Sequence, residues 1–199
     1  MVIEKQDFFN DLAEQWDEKN KWNMDKIALM LKLLYIQEGD AALDVGTGTG
    51  VLIPLLTSYT GNITAIDSAE KMIQIARKKF EGRGVNFIHG DALEYPFPDA
   101  SFDHIICYSV FPHFDDKPLA IARLAKKLKP GGLLSVLHSS SKERINGVHV
   151  HAPSMDIKWD SLPPAQVLVP CARDNGLREE IVIDNGEMYL FGARKRWHG

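Results

Sequence analysis

The sequence predicts an α/β fold: a doubly wound, mostly parallel sheet of seven strands with an antiparallel C-terminal hairpin strand, helices on both faces and an N-terminal helical cap. Three observations predict it. Between residues 41 and 137, short apolar runs alternate with amphipathic helical stretches, the pattern of repeated strand–helix–strand units. The first apolar run, Ala41-Ala42-Leu43-Asp44-Val45, breaks into three glycines at alternate positions, Gly46, Gly48 and Gly50, before a second apolar run from Val51 to Leu56. That reads as strand, tight turn and helix, with backbone N–H groups presented at the helix N-terminus. Near the end of the chain, Asp184-Asn185-Gly186-Glu187 separates two apolar runs, and Asn-Gly in that setting signals a hairpin.

The elements follow in order. Phe8, Phe9, Leu12, Ala13 and Trp16 share one face of an opening helix. A second helix is expected around residues 23–36, with Ile27, Met30, Leu31, Leu34 and Tyr35 inward, ended by Gln37-Glu38-Gly39-Asp40; residues 1–38 then form the cap. Asn62–Ile66 is a second strand ending at Asp67, and Ser68 caps a helix with Ala69, Met72, Ile73, Ala76 and Phe80 inward. Val85–His89 is a third strand, followed by Gly90-Asp91-Ala92 and a proline-rich turn. Phe102–Ser109 is a fourth, and Asp115-Asp116-Lys117-Pro118 opens a helix stopped by Lys129-Pro130-Gly131-Gly132. Leu133–Leu137 is a fifth strand ending at His138. Residues 139–162 are polar and break the alternation, which marks an irregular substrate-side insertion. Pro163-Pro164 then opens a helix with Ala165, Leu168, Val169 and Ala172 inward and Pro170 kinking it; Asn175-Gly176 ends it. The hairpin strands are Ile181–Ile183 and Met188–Ala193, and no repeat or interdomain linker interrupts a single domain over residues 1–199.

Composition sets bounds. The chain has 199 residues, 45% hydrophobic and 25% charged, with a formal net charge of −4. Without a dense basic patch, a nucleic-acid partner is disfavoured. Cys107 and Cys171 sit in apolar surroundings and read as reduced core residues of a cytoplasmic protein. The first residues lack an apolar signal core, and no run approaches a membrane span.

The glycine spacing carries chemistry. It is D-x-G-x-G-x-G, not the G-x-G-x-x-G of a dinucleotide site. Asp44, two residues before the first glycine, would repel a pyrophosphate and suits a positively charged ligand without phosphate, as S-adenosylmethionine is. Asp67 lies 21 residues after Gly46 at the end of the second strand, placed to accept hydrogen bonds from ribose hydroxyls. Asp91, just past the third strand, is placed for the adenine amino group.

With these pieces in place, residues 31–195 resemble the class I S-adenosylmethionine-dependent methyltransferases, in their small-molecule branch. Leu43-Asp44-Val45-Gly46-Thr47-Gly48-Thr49-Gly50 looks like the first motif and Ala65-Ile66-Asp67-Ser68-Ala69-Glu70-Lys71-Met72 like the second. Gly90-Asp91-Ala92 with Phe97-Pro98-Asp99-Ala100-Ser101-Phe102-Asp103 looks like the third and the lead into the fourth strand, and Leu128-Lys129-Pro130-Gly131-Gly132 like the turn before the fifth. Phe8-Phe9-Asn10 with Trp16-Asp17 is similar to the branch that includes quinone-precursor C-methyltransferases. The resemblance implies that Gly46, Thr47, Gly48 and Gly50 line the methionine and ribose part of the cofactor and that Asp44 orders its amino group. It also implies that Ser68 and Met72 pack near adenine, that Asp91 and Ala92 address its amino group, and that Tyr108 sits beside the reactive methyl.

Methyl transfer needs a base only when the acceptor atom carries a proton. The candidates are His138 first, then His149, with His113 and Tyr108 at the fourth-strand end. His149 and His151 share one face of an extended segment, but no acid sits at ligand spacing, so no metal is expected. The expected partner is a small-molecule acceptor met by a monomer or homodimer. A nicotinamide oxidoreductase and a non-catalytic S-adenosylmethionine-binding module are the alternatives.

Overall fold

The structure, a computed structural model, describes residues 5–150 and 161–197, with the backbone alone for 148–150. The described residues build a seven-stranded sheet from β1 (Ala41–Val45), β2 (Asn62–Asp67), β3 (Asn86–His89), β4 (Phe102–Tyr108), β5 (Leu128–His138), β6 (Leu177–Asp184) and β7 (Tyr189–Lys195). Their spatial order is β3-β2-β1-β4-β5-β7-β6. The first five run parallel, whereas β7 is antiparallel to both β5 and β6. The chain fills one half of the sheet outward from β1, then crosses back to lay β4 on the other side. The crevice beyond the carboxyl ends of β1 and β4 is the switch point where such sheets bind ligands.

Helices cover both faces because the central strands are apolar on both sides, as parallel strands must be. On one face, α3 (Met24–Lys32), α4 (Ile53–Leu56) and α5 (Glu70–Lys79) enclose Ile27, Met30, Leu31, Leu56, Ile73, Ile106, Leu133 and Leu190. On the other, α6 (Lys117–Lys127) and α8 (Leu168–Asp174) pack Ile121, Leu124, Leu168 and Ala172 over Leu43, Val45, Ile105, Cys107, Val136 and Phe191. The N-terminal segment, α1 (Lys5–Leu12), a 3-10 turn at Ala13–Gln15 and α2 (Trp16–Lys19), lies over the crevice end.

Several local expectations change. The helix after the glycines is one turn, because Gly50 N–H closes back on the Thr47 carbonyl (2.9 Å) and α4 begins only at Ile53. The second helix ends at Lys32, and Tyr35, with φ +55°, turns outward and is 71% exposed instead of facing the core. Pro170 does not kink α8: a 3-10 turn at Ala165–Val167 precedes it, so Pro170 falls in the first helical turn, where its missing N–H costs nothing. Residues 129–132 belong to β5, which bulges against β4 between Phe102 and His104. β6 starts at Leu177 and bulges between Glu179 and Ile181. Within the stretch read as an irregular insertion, residues 142–150 form α7 (Lys142–Val150), which the Ser141 hydroxyl starts by accepting from Arg144 N–H. Asn146 grips the returning chain through both its amide atoms, bonded to Leu162 N–H (2.8 Å) and carbonyl (3.1 Å).

Candidate active site

A cavity of about 740 Å³ opens at the switch point. Its floor is the glycine turn. Gly46 and Gly48 hold φ of +67° and +56°, and a Cβ at Gly46 would come within 2.3 Å of Val110 Cγ2. The turn's amide groups are spent internally: Gly46 and Thr47 N–H both donate to the Ile66 carbonyl (2.8 and 3.1 Å), and Gly48 N–H donates to Asp67 Oδ2 (2.8 Å). With the Gly50 N–H also turned back on the Thr47 carbonyl, the array of free N–H groups expected from the sequence, which would hold a phosphate at a helix N-terminus, is depleted by four. What the turn presents instead is carboxylate.

Asp67 accepts from Gly48 with one oxygen and from Ala69 N–H (2.9 Å) with the other. Burial raises its carboxyl above the ordinary range, against the pull of those two N–H groups. Asp44 is buried beneath the turn, outside the cavity wall, and accepts from the Thr47 hydroxyl at 2.7 Å. Its carboxyl is pushed up to about 7, chiefly by burial and further by the Asp67 charge, with the Thr47 bond opposing. Two carboxylates this close favour a positively charged occupant.

The residues that the sequence assigns to a cofactor converge here with two exceptions. Gly46, Thr47, Gly48, Asp67, Ser68, Met72, Asp91, Ala92 and Tyr108 all line the cavity. Asp44 acts from behind Thr47. Gly50 is turned away, its positive φ (+88°) needed where a Cβ would come within 2.6 Å of the Phe80 ring. Asp91 Oδ1 accepts from Leu93 N–H (2.8 Å), which fixes the turn after β3.

The roof is the N-terminal segment. Phe9 meets Trp16 edge-on (5.6 Å) and His113 edge-on (5.2 Å), and the Trp16 Nε1 edge lies over Gly48. Polar contacts pin this segment at both rims: Lys5 Nζ reaches the His113 carbonyl (2.9 Å) and Asp115 (2.5 Å), Asn10 accepts from Lys71 N–H (2.9 Å), and Asp17 takes the Thr49 hydroxyl and Lys79 (2.6 Å each). The bonds from Asp17 and Lys5 escape sequence reading, because they join positions 32 and 110 residues apart and no spacing rule connects them.

A second cavity, of about 210 Å³, adjoins the first beyond the ends of β4 and β5. Trp22 and Ser109 line both. Lys19, Asn20, Lys21, His138, Ser139, Ser140 and Ile145 complete it. Ser109 holds φ +55°, and Tyr108 is bonded through its hydroxyl to Ser139 Oγ (2.8 Å). Burial raises the Tyr108 phenol, so it stays protonated and acts as a donor or packing surface rather than a base. His138, 3% exposed, is backed edge-on by Tyr189 at 5.9 Å. His113 lines the larger cavity, apart from His138. The His149 and His151 side chains lie outside the described residues.

Comparison with known proteins agrees with this geometry. Residues 43–136 match the model of a methyltransferase domain. Demethylmenaquinone methyltransferase of Staphylococcus aureus is 30% identical over 141 residues, covering 66% of this chain; the chain spans 58% of the length of that relative. Among solved structures, a chain of the complex between the Haloferax volcanii Trm112 methyltransferase activator and a methyltransferase superposes with a TM-score of 0.80 at 23% identity, covering 98% of this chain and 99% of that one. Haemonchus contortus phosphoethanolamine N-methyltransferase 2, in complex with phosphomonomethylethanolamine and S-adenosylhomocysteine, gives 0.75 at 17% identity over 98% of this chain and 61% of its own. The motif order, the reversed seventh strand, the acidic glycine turn and these matches agree: residues 43–136 form an S-adenosylmethionine-dependent methyltransferase domain with the class I fold.

Proposed function

We propose that the chain transfers a methyl group from S-adenosylmethionine to a small-molecule acceptor by in-line displacement. The observation that carries this is the pair of adjoining cavities, one acidic and about 740 Å³, the other about 210 Å³, sharing Trp22 and Ser109. The larger falls within the size of a cofactor pocket, and its residues fit the group. Asp67 retains lone pairs for the ribose hydroxyls, Met72 and Ala92 offer apolar surface to adenine, and Asp44 and Asp67 favour cationic charge. Bound there, the sulfonium supplies an already activated methyl carbon.

The protein's task is then positional. The acceptor's lone pair forms the new bond to the methyl carbon while the carbon–sulfur electron pair stays on sulfur. Tyr108, Trp22 and Ser109 define the passage between the cavities and keep the reacting atoms in line. Trp16, Phe9 and Trp22 exclude water. If the acceptor atom carries a proton, the His138 imidazole, which lines the smaller cavity, is the group that takes it. Of the cap assigned to residues 1–38, the described part is held shut by the contacts of Asp17 and Lys5.

Calorimetry with S-adenosylmethionine and S-adenosylhomocysteine tests the reading, followed by a metabolite screen with labelled cofactor. Absence of binding of either at high micromolar concentration sinks it. Binding of NAD instead supports the oxidoreductase, and binding without turnover supports the non-catalytic module. A second reading, favoured by the Haloferax complex, is activity that requires an activator protein; turnover by the isolated chain excludes it. No described helix is long and apolar enough to cross a membrane, which suits a cytoplasmic enzyme.

A further inference from the structure

The smaller cavity has a chemical signature of its own. Its described lining holds two lysines, a histidine, three serines, an asparagine and an indole, and no carboxylate among the described residues. The larger cavity shows the opposite bias, with Asp67, Asp91 and Asp115 on its walls. Lys19 and Lys21 are exposed at the mouth, and neither makes an ion pair with a described residue. Next to Lys21 in sequence, Trp22 lines both cavities, and its Nε1–H is buried without a hydrogen-bond partner among the described residues. A buried donor left unsatisfied is costly, so an orphan on a side chain that lines both cavities points to an occupant that supplies an acceptor atom.

We propose that the methyl acceptor is a small anion, whose carboxylate or comparable anionic oxygen is bound by the Trp22 indole N–H in the field of Lys19 and Lys21. This rests on the methyltransferase reading above. The volume, about seven waters' worth of liquid, admits a compact molecule and not a polymer. The two cavities divide the charges: cation on the acidic side, anion on the basic side, meeting at Trp22 and Ser109. Transfer of a methyl cation between them to an anionic nucleophile annihilates both charges, a reaction that a dry junction accelerates. Where the anion is a handle and the nucleophile another atom, the same contacts orient it.

The test uses nitrogen-15 indole resonances of the full chain, with benzoate as the anionic probe and benzamide as its neutral isostere, each with and without S-adenosylhomocysteine. Trp22→Phe assigns the Trp22 peak. Benzoate should shift that peak saturably and benzamide should not. The double variant Lys19→Gln, Lys21→Gln should weaken benzoate binding roughly fivefold, as two exposed charges would, with S-adenosylhomocysteine affinity kept. Equal response to benzamide, or benzoate affinity unchanged in the double variant, overturns the anionic acceptor. Failure of S-adenosylhomocysteine to bind overturns the methyltransferase reading instead, and the benzoate series, run without it, then judges the anion site alone.

Discussion

Asp67 serves the fold and the ligand with the same carboxylate, and substitution separates the two uses. In the free protein its oxygens accept from Ala69 N–H at 2.9 Å and Gly48 N–H at 2.8 Å. A carboxylate offers about four lone-pair positions, so roughly two remain for ribose hydroxyls. Charge-assisted bonds of this kind contribute roughly 1.5–3 kcal/mol each. Asp67→Ala should therefore weaken S-adenosylhomocysteine binding at least about tenfold, which needs only about 1.4 kcal/mol. It also strands the two backbone N–H groups. Gly48 borders the cavity and regains water, and removing a buried carboxyl relieves some desolvation, so the net loss should be about 1–2 kcal/mol, or roughly 2–8 °C in Tm for a chain of this size. Asp67→Asn keeps one oxygen and should fall between on both scales. Calorimetry and thermal unfolding with and without ligand measure the two effects. A dissociation constant unchanged in a variant that unfolds earlier would show that Asp67 only staples the turn and that the ribose is held elsewhere.

Three other outcomes are expected. The Asp44 carboxyl is raised from 3.8 to about 7, so the native state holds a proton that the unfolded chain releases; that contribution is full below about pH 4 and lost as pH rises through 7. Above pH 7 the buried charge costs on the order of 4 kcal/mol, so Asp44→Asn should resist urea better than the wild type at pH 8, with the advantage shrinking towards pH 5; an advantage independent of pH contradicts the assignment. His138→Ala should lower methyl transfer about tenfold or more with cofactor affinity nearly unchanged, measured by single turnover; loss of cofactor binding, or full turnover, makes His138 structural. Gly46→Ala combines strain at φ +67° with a Cβ 2.3 Å from Val110 Cγ2, and should cost roughly 2 kcal/mol or more, whereas Gly82→Ala, at φ +77° with nothing within 4 Å, should cost only the strain of about 1 kcal/mol; equal losses in urea unfolding refute the packing argument.

The succession of strands with its closing hairpin, and the residues that wall the larger cavity, were legible in the sequence because each rests on local signals. Asp67, Ser68, Met72 and Asp91 are placed by where a strand stops, and a stopping point shows in hydrophobic runs. Gly50 carries the same signal as Gly46, yet it answers to Phe80, some thirty residues on, and no local rule separates a glycine that faces a ligand from one that faces a ring. The one-turn α4 was hidden because the Gly50–Thr47 bond competes with helical pairing that the apolar run alone suggests. α7 was hidden behind three serines that read as loop, although Ser141 caps a helix. Lys19 and Lys21 gave no sign, since charged side chains in a polar segment acquire meaning only from what the fold sets opposite them.

The placement of β7 has a consequence for the order in which the chain matures. β7 is the last described strand in sequence, yet it lies between β5 and β6, second from the edge of the sheet. Until Tyr189–Lys195 is in place, β5 keeps an open edge from Leu133 to His138 and β6 has no neighbour to pair with. A chain cut before Tyr189 would expose a long apolar strand, a template for pairing with other molecules. The two halves of the ligand crevice also differ in age: β1 and β2 pair over a short span, whereas His138 is fixed only when residues some fifty positions later arrive at Tyr189. Assembly on the His138 side therefore has the longer contact range and the slower closure, and inherited or engineered truncations near the C-terminus should abolish that side first.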